Sequence, residues 1–262
     1  MPGPSPDPEE EERDLASLAL ALAFLGMALS PLTVPWLALL LSALVPSAPP
    51  WSAPALVAIL TGAVAGLGAQ ALAHRQSHPP PLAWPAPFLL AACGSLLLQQ
   101  APTRLYGLAS LLGLTAWLAL LLWLPTQSSR SPESQVRRGK GGLLRAATYG
   151  VAWVAFAIAH TLGGPGIPAT FVSAGLLAVQ VLSLEDGGTR PWGMGAAMAW
   201  VQAGVATCLW AASAGPWVGG AVHLLLFHAG LTLQEAESPA ALLLGSAAPA
   251  AAALALLAAA SL

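Results

Sequence analysis

Residues 15–45 read LASLALALAFLGMALSPLTVPWLALLLSALV, without one Asp, Glu, Lys or Arg, and the uncharged run continues to His74. Similar runs cover Gln76–Thr103, Leu105–Ser129, Ala146–Leu184, Pro191–Gln234 and Ser238–Leu262. A membrane-spanning helix needs about 20 consecutive apolar residues, so each run has room for one or two crossings. In hydrocarbon the backbone must satisfy its own hydrogen bonds, which makes the crossings helices. The runs do not alternate polar with apolar residues, as barrel strands would. The reading is therefore an all-α, polytopic transmembrane helical bundle of about 8–10 membrane segments.

Composition agrees. Of 262 residues, 56% are hydrophobic and only 8% charged, with a mean hydropathy of +0.72. Soluble chains carry about 25% charged residues, so there is too little charge here to coat a water-facing surface. No large basic face exists for nucleic acid, and the expected surroundings are a lipid bilayer. Cys93 and Cys208 fall inside apolar runs and read as small buried hydrophobes rather than a disulfide framework. The single Lys, the absence of Asn, and the Ala, Leu, Gly and Pro bias point to a GC-rich bacterial genome. The acidic start, MPGPSPDPEEEERD, lacks the positive region of a secretory signal, so no cleavage is expected.

Four regions follow from the charge pattern: an acidic, Pro-rich tail (1–14), an apolar half (15–124), a basic connection (125–142) and a second apolar half (143–262). Within the first half, 15–45 is the difficult stretch. As one helix it would run roughly 46 Å, well beyond a core of about 30 Å. Ser30-Pro31 and Pro35 interrupt it, which favours two short crossings or a broken pair. Later segments are expected at Ala53–Ala73, Leu82–Gln99, Leu105–Leu124, Leu143–Leu162, Ile167–Leu184, Trp192–Ala212, Trp217–Leu233 and Pro239–Ser261, punctuated by Pro and Gly clusters. Trp36, Trp51, Trp84, Trp123, Trp192 and Trp217 fall near the expected ends, as interfacial aromatics do.

The basic connection carries Arg130, Arg137, Arg138 and Lys140, with Arg145 just beyond, and the positive-inside rule puts it in the cytoplasm of a cell-membrane protein. Arg75 then also lies inside, while Arg104 sits outside, a mild exception to the rule. If 15–45 crosses twice, both termini are outside. Two halves of five segments each would be inverted relative to one another, a layout common in transporters.

The ionisable residues inside the apolar runs are His160, His223 and His228. Such groups are costly in lipid and are functional candidates by default. His160 and His223 are expected near each other toward the outer leaflet. His228 is about 7.5 Å deeper and rotated by roughly 140° from His223, so the two do not share one metal from one helix face. A bis-histidine haem would need histidines from different helices. Against this stands the plainer reading of neutral histidines bonded to neighbouring helices. Gln70, Gln180 and Gln202 read as helix-to-helix hydrogen bonders, with Gln180 and Gln202 also candidates for solute binding. Gly62 and Gly66 form a GxxxG, which implies packing within the bundle or, more sharply, a homo-oligomer or another membrane partner. Glu185-Asp186 with Arg190 reads as a solvated turn.

Motifs for nucleotide binding, serine hydrolysis, zinc peptidase or dithiol chemistry are absent, and no apolar run holds a carboxylate. Three functional readings remain: a non-enzymatic membrane protein with a structural or accessory role, a small-solute or lipid transporter, and a haem- or metal-binding protein using the three histidines.

Overall fold

The computed structural model describes residues 8–75, 82–128, 134–162, 166–186, 190–211 and 213–235. Among them are eight helices and no strand: α1 (Pro8–Leu44), α2 (Ser52–His74), α3 (Pro85–Gln99), α4 (Arg104–Ser128), α5 (Ser134–Thr161), α6 (Gly166–Asp186), α7 (Arg190–Ala211) and α8 (Pro216–Glu235). Six are long and apolar enough to cross a membrane, over Glu11–Leu44, Ser52–His74, Arg104–Trp123, Gly142–Thr161, Gly166–Ser183 and Trp192–Ala211. At 15 residues, α3 reaches only about 22 Å. The segment expected at 239–261 lies outside the described residues, as does Arg130. The helices flanking the basic connection are longer than expected: α4 runs to Ser128 and α5 begins at Ser134, so the backbone of Arg137, Arg138 and Lys140 is helical.

The stretch 15–45 is not a pair of short crossings. It is one helix of 37 residues with Pro31 and Pro35 inside it. Pro31 has no N–H to offer the carbonyl of Met27, which ordinarily costs a helix about 3 kcal/mol. The hydroxyl of Ser30 replaces that donor, lying 2.8 Å from Met27 O. It also lies 3.1 Å from Ser95 O on α3. Ser and Thr side chains are the usual means by which membrane helices tolerate proline. Two consequences follow. Among the described residues, 8–128 and 134–235 hold four helices each, so the five-plus-five inverted layout is lost. Trp36 lies within α1, whereas the other five tryptophans named above stand at or near helix ends.

The chain divides into two compact units, Met1–Leu144 and Arg145–Leu262. In the first, α1 and α2 form an antiparallel hairpin. One stripe of α1 is buried, Ala19, Ala23, Met27 and Ser30, at helical spacing. Small residues set the approach. A Cβ on Gly68 would collide with Ala19, and one on Gly26 would press on Thr61 at 3.0 Å. The Gly62/Gly66 pair receives α3, since a Cβ on Gly62 would stand 2.8 Å from Phe88 O. The GxxxG is therefore used inside this unit. Cys93 and Ser95 are buried on α3, and Gly94 admits Met27 and Leu114. An ion pair, Arg75–Glu11 at 2.6 Å, joins the end of α2 to the start of α1. The outer faces are apolar and exposed, for example Leu18, Leu22, Leu25 and Leu29 on α1. That is the opposite of a soluble helix pair.

Candidate functional site

The polar residues of interest gather in the second unit. Its helices approach through glycines. A Cβ on Gly195 would strike Val179 of α6 and one on Gly230 would strike Met198 of α7. On α8, Gly219 and Gly220 bring it against α5: a Cβ on Gly220 would lie 2.9 Å from Ala157, and one on Gly219 would lie 3.0 Å from the His160 ring. The seam between α5 and α8 is lined with rings. Phe156 lies 5.2 Å from His223 and 5.9 Å from Phe227, centroid to centroid, and Tyr149 lies 6.0 Å from Phe227 and 5.3 Å from His228.

Each histidine has its own partner. His160 donates from Nε2 to the carbonyl of Ala214 at 2.6 Å. That carbonyl is positioned by the turn closing α7. Ser213 takes a left-handed φ of 54°, Ser213 N–H bonds Trp210 O, and Ala214 N–H bonds Leu209 O. This is the Schellman pattern, here with Ser where Gly usually stands. His223 is 1% exposed and Gln202 is fully buried. Gln202 Nε2 donates to the backbone carbonyl of His223 at 3.1 Å, and its Oε1 faces His223 Nδ1 at 2.5 Å. A carbonyl can only accept, so the amide nitrogen must face it and the amide oxygen must face the ring. The His223 proton is thereby fixed on Nδ1, and one amide closes on both the side chain and the backbone of its partner. His228 Nδ1 accepts from the Tyr149 hydroxyl at 3.3 Å. That oxygen in turn receives Arg145 Nε and Nη2, each at 3.3 Å, and the guanidinium carbon stands 5.7 Å from the Tyr149 ring centroid.

His160 packs against Gly219, which precedes His223 by one turn of α8. His228 belongs to a separate cluster deeper in the seam. Gln180 is buried on α6 and engaged. In the first unit Gln70 accepts from Ala83 N–H at 3.1 Å and sits 3.3 Å from His74 Nε2, as a helix-to-loop fastener. Cys208 is exposed on α7, unlike the buried position expected of it. Its helix turns that face outward with Val201, seven residues earlier and also exposed. Among the described residues no three His, Cys, Asp or Glu side chains converge to hold a metal ion. The sequence reading missed Tyr149, Phe156 and Phe227. Tyr149, Phe156 and His160 recur at seven and four residues, and His223 and Phe227 at four, so helical periodicity was the signal that marks them as one seam.

The fold and site define an all-helical protein with membrane-type helices and a histidine-bearing seam. The chain belongs to the family of proteins of unknown function DUF5656, which matches residues 32–242. No curated protein and no solved structure matches the chain.

Proposed function

We propose that this is a non-enzymatic, multi-pass protein of the cell membrane with a structural or accessory role. The observation that carries the reading is the His223–Gln202 clasp. Two sealed polar side chains engage one another rather than face a cavity, which is what helix fasteners in a membrane do. His160 on Ala214 O and Gln70 on Ala83 N–H repeat the pattern. With α1 as a single crossing and the short α3 as another, the N-terminus, Arg75 and the basic connection share one side, and the positive-inside rule makes that side the cytoplasm.

Two measurements test this. In a chain lacking Cys93 and Cys208, a single cysteine at Ser128 should react with a membrane-impermeant thiol reagent only after the membrane is opened, and one at Ser213 in intact cells. The reverse pattern inverts the orientation. Replacing the clasp by Gln202→Leu with His223→Phe should leave the protein stable and able to complement a deletion strain. A stable double variant that fails to complement would show that the polar atoms serve binding instead.

A further inference from the structure

At the end of the first unit away from Glu11 and Arg75, an open groove of about 360 Å3 runs between α1 and α4 and is closed by the end of α3. Its walls are apolar, chiefly Ala28, Pro31, Leu98, Leu108 and Leu111, and Arg104 stands at its rim. Among the described residues Arg104 has no ion pair or hydrogen-bond partner. It is exposed and occupies the first position of α4, where the helix dipole disfavours a cation. It is also the arginine that runs against the charge bias of the two sides. An apolar trough ending at one unbalanced guanidinium matches an amphiphile with a hydrocarbon chain and an anionic head. Arginine binds phosphate oxygens in a bidentate fork.

We propose that this groove holds one anionic phospholipid, with its phosphate on Arg104 and an acyl chain laid between Pro31 and Leu111. The proposal rests on the membrane placement given above. Pro31 gains a second role in it: its side chain forms part of the groove wall, and its break in the hydrogen-bond ladder is closed from within by Ser30.

The test is native mass spectrometry of detergent-purified protein offered equal dioleoyl phosphatidylglycerol and dioleoyl phosphatidylcholine. Wild type should retain one phosphatidylglycerol in about fivefold preference, the selectivity one arginine provides at a charged lipid surface. Arg104→Gln should bring the two lipids to parity, and Arg104→Lys should keep a preference. Gly107 lines the groove, and a Cβ there would meet only Ala101 at 3.5 Å. Gly107→Leu should therefore fold and lower retention of both lipids. Inorganic phosphate should not displace the bound lipid. Equal retention by wild type, a preference surviving Arg104→Gln, undiminished binding by Gly107→Leu, or displacement by phosphate would each overturn the proposal. A chain that stays monodisperse without detergent would remove the membrane placement and this site together, whereas loss of lipid preference in a detergent-requiring chain would remove the site alone.

Discussion

The two units solve the same problem by different chemistry. In residues 1–144, α1, α2 and α3 are held by close fit: Gly26, Gly62, Gly66, Gly68 and Gly94 each admit a neighbour's side chain or backbone. Its buried hydroxyls turn back on nearby carbonyls, as Thr61 does on Val57 O at 2.8 Å, and Ser30 also reaches Ser95 O on α3. In residues 145–262 glycines again permit contact, but side chains reach across helices to make the bonds, His160 to Ala214 O, Gln202 to His223, and Tyr149 to His228. In lipid the helices gain no hydrophobic advantage from one another, so close packing and cross-helix hydrogen bonds are the two means left. The first unit relies chiefly on fit, with Ser30 bonding Ser95 O across α1 and α3, and the second uses both freely.

Substitutions that separate these means should rank by size. The largest effect is expected from Gly62→Val, where new carbons meet Phe88 O at 2.8 Å or nearer. Overpacking of this kind costs about 3 kcal/mol, visible as a large fall in the thermal midpoint in detergent. A midpoint within a degree of wild type would show that α2 and α3 are not held by fit. Next is Gln202→Leu, which strands the His223 ring and carbonyl and should cost about 2 kcal/mol. Adding His223→Phe should recover most of the loss, and strictly additive losses would deny the clasp. Ser30→Ala should cost about 1 kcal/mol and less in a Pro31→Ala background, where residue 31 regains the N–H that Met27 O needs. An equal cost in both backgrounds would separate Ser30 from the proline. Smallest is Glu11→Gln, since the Arg75 and Glu11 side chains are 41% and 46% exposed. That change should cost under about 0.5 kcal/mol and vanish at high salt.

Much of the helical plan was legible from charge alone. The run from Leu105 coincides with α4, the run from Ala146 covers the apolar part of α5 together with α6, and the run from Pro191 covers α7 and α8, because ionised side chains are excluded from lipid wherever a helix crosses. The stretch 15–45 was misread because proline was weighed without its neighbour: Ser30 supplies Met27 O with a donor, and its packing against Ser95, 65 positions away, is not visible along the chain. For the site, the histidines stood out at once, since ionisable residues are rare in apolar runs. Their partners did not. Ala214, Gln202 and Tyr149 lie 54, 21 and 79 positions from the histidines they meet. Gln202 could be noted as polar, yet nothing in its neighbours along the chain ties it to His223.

The sequence by itself determined that this chain is helical and of membrane type, because a backbone without charges nearby finds stable surroundings only where it satisfies its own hydrogen bonds. It also marked Gly62 and Gly66 as a pair suited to close approach. Only the tertiary structure decided that α1 runs unbroken through Pro31, that Gly62 and Gly66 face α3, and which atom each histidine meets. Those outcomes depend on distances of about 3 Å between residues remote in sequence, and such distances are set by how helices cross rather than by the order of residues within them.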